Sequence, residues 1–312
     1  MTLAFRFLPM LFAACITSNS CSQTPSTHNA SGADVFTGST PCDATIQALL
    51  KLPPVPTCDF IRWQLTLDKS APGSRTFQLR LVYGEGQPNT LGFKGGGTTR
   101  LYTGKYNISK WDNDVLQGER LQLTASEPRV SLSLVKMNED IYHLLTPGQT
   151  LMIGNSGWSY TLNRKTSALP PSGQGLHLTI APSLFTDTAR QVVFEGRTAC
   201  QEFARQYGRN AGSDCLKLKW LLTLNRDPVT HAPTTYHLAW TLSRRQAMEG
   251  KWTTLKGLGQ SATAVVYQLD PDQPDRTIYL LVGDRNTLFF LDKEGRLLKG
   301  DENFSYTLNR VQ

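Results

Sequence analysis

The chain is predicted to be mainly β, folded as two tandem small antiparallel meander β-barrels, each preceded by a short disulfide-clipped helix. Three observations predict this: strands that alternate apolar and polar residues, a domain-length segment written twice, and a cysteine pair attached to each copy. In one stretch Trp63, Leu65 and Leu67 point one way and Arg62, Gln64 and Thr66 the other, and in another Leu132 and Leu134 alternate with Ser131 and Ser133. Such strands have one dry and one wet face. Between them lie short turns such as "TPGQ" at 146–149, "DPDQPD" at 270–275 and "DKEG" at 292–295. Seven or eight such strands in roughly 110 residues fit a meander rolled into a barrel, which removes exposed edges. A sandwich is the other arrangement open to them.

The first 20 residues read as a secretory signal, with Arg6 ahead of an apolar run from Phe7 to Ile16 that is too short to span a bilayer. A signal that ends at a cysteine resembles those of bacterial lipoproteins, whose first mature cysteine carries the lipids. Cys21 is the expected anchor, because it leaves an even number of cysteines behind it. Cys15 after "LFAA" is the alternative, and an ordinary cleaved signal without lipid also fits. Residues 21–39, rich in Ser, Thr, Gly and Asn, read as a flexible tether.

Next comes a helix signal, with Thr40 as cap, Pro41 in the first turn, Ile46, Leu49 and Leu50 at helical spacing and Pro53 as the stop. Its counterpart has Thr198 as cap with Gln201 three residues on, then Phe203 and Tyr207. Each helix carries a cysteine, and each first strand opens on another. Four cysteines allow three pairings; the repeat selects Cys42 with Cys58 and Cys200 with Cys215. In an exported chain these read as structural disulfides, each closing a loop worth about 3 kcal/mol by the chain-entropy estimate. Their spacing lacks the two-residue interval favoured by metal and redox pairs.

The duplication itself can be followed along the strands. "CDFIRWQLTL" at 58–67 answers "CLKLKWLLTL" at 215–224, and "RTFQLRLVY" at 75–83 answers "TTYHLAWTL" at 234–242. From Gly104 to Tyr160 and from Gly250 to Tyr306 the interval is 56 residues in both copies, and the copies end on "SYTLNR" at 159–164 and 305–310. "GQPNTLGFKGGG" at 86–97 occurs only in the first copy and reads as a surface insertion with a mobile tip, since no helix follows it to receive a phosphate. The expected organisation is therefore a signal at 1–20, a tether at 21–39, a first barrel at 40–164, a linker at 165–197 and a second barrel at 198–312, the two barrels being separable units.

A cysteine-led strand, a "G-[KTS]-[WY]" strand, an LD-x-x-G turn and a closing "NYTL"-like strand resemble the N-terminal domain of the NlpE family of bacterial outer-membrane lipoproteins. The second copy carries the pattern in "LFFLDKEGRLLKGDENFSYTLNR" at 288–310, whereas the first keeps only the ending. The resemblance covers 58–164 and 215–310. It implies small barrels, a lipid anchor in the cell envelope, and a role in envelope-stress signalling or copper homeostasis. The family commonly carries a C-x-x-C pair before the first strand, tied to its proposed copper and redox roles, and this chain has none.

No catalytic, metal or cofactor set is expected, and the chain is read as not an enzyme. Of His28, His143, His177, His231 and His237, only His231 and His237 lie close together, across a strand entry, and they read as solvent-facing. Asp270, Asp272 and Asp275 alternate with Pro271 and Pro274 as a rigid turn. No G-x-S-x-G, Walker or dinucleotide fingerprint is present. The net charge of +7 is dispersed over alternate strand positions, which argues against nucleic acid and leaves the membrane, reached through the anchor, an envelope protein or a small apolar ligand as partners. Trp63, Phe77, Tyr83, Trp220, Tyr236 and Trp240 are the large inward candidates. If they fill the lumens the protein acts by contact; if not, a lipocalin-like carrier of a small apolar ligand is the alternative.

Overall fold

A strand with one dry face hides it at least cost by curling with its neighbours until the sheet meets itself. This chain does so twice. The computed structural model describes residues 33–71, 74–112, 116–165, 179–180, 187–207, 212, 215–241, 247–258 and 261–311. The first barrel runs β1 Ala33–Pro41, α1 Ala44–Leu50, β2 Phe60–Ala71, β3 Ser74–Gly84, β4 Thr98–Asp112, β5 Leu116–Ala125, β6 Val130–Asn138, β7 Ile141–Leu145 and β8 Thr161–Arg164. Each strand pairs antiparallel with the next, and β8 returns to β1 with Phe36 opposite Arg164. After a two-residue strand, β9 Thr179–Ile180, paired with the start of β5, the second barrel repeats the plan. It runs β10 Gln191–Thr198, α2 Cys200–Gln206, β11 Leu218–Arg226, β12 Pro233–Trp240, β13 Met248–Leu258, β14 Ser261–Leu269, β15 Ile278–Asp284, β16 Thr287–Leu291 and β17 Thr307–Arg310. Closure is again in the same register, with Phe194 opposite Arg310.

Both lumens are packed. Trp63, Leu79, Leu81, Tyr83 and Tyr102 are buried in the first core, and Trp220, Leu222, Tyr236, Leu238 and Phe290 in the second. Among the expected inward residues Phe77 is also buried, while Trp240 is half-buried with its ring 5.8 Å from that of Trp220. The helices plug the barrels. Ile46 and Leu50 of α1 are fully buried, each worth roughly 1.5–3 kcal/mol, and the Tyr102 hydroxyl donates to the Leu50 carbonyl at 2.6 Å. Phe203 of α2 packs edge-on against Trp220. Disulfides Cys42–Cys58 and Cys200–Cys215 clip the helices to their barrels across Cα separations of 5.6 and 6.1 Å.

Several expectations are corrected. The helix does not precede its barrel but sits between the first and second strands. The tether over 21–39 gives way at Ala33, because β1 already pairs with β2 along its whole length. Its small residues read as a linker because they serve close approach: a Cβ on Gly38 would run into the Thr161 carbonyl oxygen of β8. The linker over 165–197 likewise contains β9 and most of β10. Thr40 and Thr198 are not caps. They end strands, and their hydroxyls accept the indole N–H of Trp63 and Trp220 at 2.8 and 2.9 Å. Asp43 caps α1, accepting from the Ile46 amide, and Lys51 in the left-handed region ends it before Pro53. α2 has no side-chain cap; the Tyr306 hydroxyl accepts its Phe203 amide at 3.0 Å instead. The segment 86–97 is not a loose tip, because Phe93 stacks on Phe60 at 4.1 Å and the Leu91 carbonyl accepts from Arg62.

The barrels are also not separate units: residues 32–312 form one compact body. A third apolar cluster lies between them, where Val135, Met137 and Ile141 of the first barrel meet Ala264, Leu281 and Phe289 of the second. This is why every residue of β7 and β16 is buried. Both faces of these strands are covered, one by their own lumen and one by the other barrel.

Candidate functional site at the barrel junction

The duplicated ending explains the junction. In the eleven residues "GNSGWSYTLNR" at 154–164 and "GDENFSYTLNR" at 300–310, the turn closes by Asn155 N–H to Trp158 O and by Asp301 N–H to Phe304 O, both at 2.9 Å. Tyr160 and Leu162, like Tyr306 and Leu308, point into their own barrels. Ser, Thr and Asn point at the other copy. Ser159 and Ser305 share a hydrogen bond of 2.5 Å, and Thr161 and Thr307 share one of 3.1 Å. The Gly154 amide donates to Asn309 Oδ1 at 2.8 Å and the Gly300 amide to Asn163 Oδ1 at 2.9 Å. Each residue thus meets the same patch of the other repeat, which is the geometry of a twofold dimer interface placed inside one chain. Glycine is required at 154 and 300, because a Cβ there would strike the carbonyl oxygens of Trp158 and Phe304.

His143 of β7 sits in this network, fully buried. Its Nε2–H donates to the Met152 carbonyl at 2.9 Å, so Nδ1 accepts from the Thr161 hydroxyl at 2.9 Å. Its ring meets Phe289 of the second barrel edge-on at 5.5 Å. Burial lowers its pKa to about 4, against a smaller upward pull from the Met152 carbonyl.

Beside the Ser159–Ser305 contact opens a cleft of about 180 Å³ lined by both barrels. Equivalent positions face each other across it. In register, Ser39 corresponds to Arg197 and Phe60 to Lys217, and Trp158 to Phe304 in the repeated turn. Arg62 enters from β2, donating to Asn303 Oδ1 at 2.7 Å and to the Leu91 carbonyl, while its Nε is buried without a partner. The insertion at 86–92 forms one wall, tied down by the Gly86 amide to Asp59 Oδ2 at 2.7 Å. Among the described residues neither Arg197 nor Lys217 forms an ion pair. Arg197 lies 5.6 Å from the centre of the Trp158 ring and Lys217 5.9 Å from that of Phe304. Both have pKa values below the ordinary range, Arg197 through burial, Lys217 through burial and then the charges of Arg197 and Lys219.

Cys42, Cys58, Cys200 and Cys215 lie where expected, in two disulfides at the plugged ends. Cys15, Cys21, His28 and His177 lie outside the described residues. His237 lies 3.8 Å from Glu249 on β13, and His231 occupies the turn that opens β12. Asp270 accepts from the Tyr236 hydroxyl at 2.7 Å within its turn. A thiolate copper site does not fit the described residues, since their four cysteines are oxidised in pairs and no three His, Cys, Asp or Glu side chains converge among them. The sequence reading missed the cleft entirely. Its signals were the insertion confined to one copy and the basic residues at 197 and 217 where the first copy has Ser39 and Phe60. No family model, curated protein or solved structure matches this chain.

Proposed function

We propose that the chain is an exported, lipid-anchored envelope protein of NlpE-like type that acts by contact rather than by chemistry, in an envelope-stress or scaffolding role. The observation that carries this reading is a pair of filled barrels, each stapled by a disulfide and joined face to face. Among the described residues such a body carries bulky side chains at its lumen positions and presents its contacts on the outer surface. A lipocalin-like carrier needs a vacant lumen, and the bulky residues at those positions disfavour it. Copper homeostasis, which the resemblance implies, would need donors other than the described cysteines in their oxidised state.

Anchoring and export are tested together by metabolic labelling with a lipid precursor, comparing the native chain with Cys21→Ser. Loss of label and release from the membrane fraction are expected; label that persists moves the anchor to Cys15, and no label in either chain defeats the lipoprotein reading. Native mass spectrometry of the purified chain, with and without copper, tests the rest. An apolar ligand retained at one per barrel would establish the carrier instead, and stoichiometric copper would restore a metal role.

A further inference from the structure

We propose that the cleft between the barrels binds a sugar-sized organic anion, a carboxylate or phosphate ester carried on a ring, held by Arg62, Arg197 and Lys217 against the rings of Trp158 and Phe304. This deepens the contact reading and rests on it only in that the chain leaves the bound molecule unchanged.

The two copies act as each other's control. In the hydrogen-bonded contacts that join the barrels, both copies keep the same side chains, Ser159 and Ser305, Thr161 and Thr307, Asn163 and Asn309, Gly154 and Gly300, although His143 faces Phe289 in the apolar part of the same junction. At the cleft, a few ångströms away, they differ. Ser39 corresponds to Arg197 and Phe60 to Lys217, so the second copy adds two cations, and the first adds the segment 86–97 that the second lacks. Symmetric packing does not need that divergence.

The chemistry of the lining defines the occupant. Three cations converge and, among the described residues, none of them has a carboxylate partner. The buried Arg62 Nε still lacks an acceptor. Burial holds Arg197 below its ordinary range, and burial followed by the charges of Arg197 and Lys219 does the same for Lys217. Trp158, backed by Phe60 stacked on it at 4.8 Å, and Phe304 supply aromatic walls, and Gln87, Asn89 and Thr90 line the insertion side with amides and a hydroxyl. Cations, aromatic faces and amides together suit a ring that is polar at its edge, flat on its face and charged at one substituent. A volume of about 180 Å³ equals roughly six waters at ~30 Å³ each, which is room for one such ring and not for a lipid chain.

The test is isothermal titration of the purified full chain, with Trp fluorescence as a second readout, using glucuronic acid, glucose 6-phosphate, inorganic phosphate and glucose. Saturable binding of glucuronic acid or glucose 6-phosphate is expected, with none of glucose. Arg197→Gln and Lys217→Gln should each weaken it by roughly ten- to a hundredfold, the loss of one charge-assisted hydrogen bond. Lys219→Gln, exposed at the start of β11 and outside the cleft lining, should weaken it far less than either. The thermal midpoints of the first two variants should match the parent, because neither side chain holds an ion pair among the described residues. The proposal is overturned if neither ring anion binds, if inorganic phosphate binds as tightly as glucose 6-phosphate, or if Lys219→Gln loses as much affinity as Arg197→Gln. Conversion of the bound ester to product would keep the site and sink the contact reading, whereas absence of binding would sink the site alone.

Discussion

Acidification should loosen the barrel junction through His143. The imidazole is fully buried, its Nε2–H held by the Met152 carbonyl and its Nδ1 receiving the Thr161 hydroxyl, which in turn touches Thr307 of the second barrel. A second proton would force Nδ1 to donate and reverse the hydroxyl chain across the junction. Its pKa is lowered from 6.5 to about 4 in the folded chain. The unfolded chain therefore binds the proton first as pH falls, so stability is full above the ordinary value, declines between about 6.5 and about 4, and falls no further below that through this group. The depression corresponds to about 3 kcal/mol in total, of which about 2 kcal/mol is lost by pH 5. Asp284, raised above its ordinary value chiefly by burial, works the other way and gains stability on acidification. Comparison with His143→Phe, the residue the second copy has at 289, removes such shared contributions. Urea unfolding of both chains between pH 7.5 and 4.5 is the assay. The parent should lose about 2 kcal/mol more than the variant by pH 5, although the variant is less stable at neutral pH because the Met152 carbonyl loses its donor. Parallel pH profiles would refute the reasoning.

Reduction of either disulfide should cost about 3 kcal/mol, since the two span separations of 16 and 15 residues; Cys42→Ala/Cys58→Ala and Cys200→Ala/Cys215→Ala, followed by calorimetry, measure each clip by itself. Gly154→Ala and Gly300→Ala should each destabilise the chain by about 1–3 kcal/mol, because the added methyl meets a backbone carbonyl that is itself held in the repeated turn; thermal unfolding measures the loss. Trp63→Phe and Trp220→Phe should cost similar amounts to one another, as each leaves a buried threonine hydroxyl without its indole donor.

Much of the fold was legible because period-two alternation and an internal repeat are properties of the chain itself. Trp63 and Trp220 announced the inward faces, and the matched cysteines announced their pairing. The first strand of each barrel was not legible. Gly38 and Gly196 are small because β8 and β17 press against them, and that neighbour is more than 110 residues away in the chain. The threonines at 40 and 198 looked like caps because a hydroxyl before an apolar helical run usually is one; the tryptophan that claims it lies over 20 residues on. The junction left a trace in "IYHLL" at 141–145 and "TLFFL" at 287–291, where alternation stops because both faces are covered. The cleft left almost none, since three cations from separate segments converge only after two barrels have closed and met.

The central claim is that the repeated ending holds two barrels together as one body. A specific protease site placed in the full chain between β9 and β10, outside the described strands, and cut after folding tests it. At neutral pH the two pieces should stay together through size-exclusion chromatography and separate only under denaturant. Pieces that part as soon as the chain is cut would contradict it.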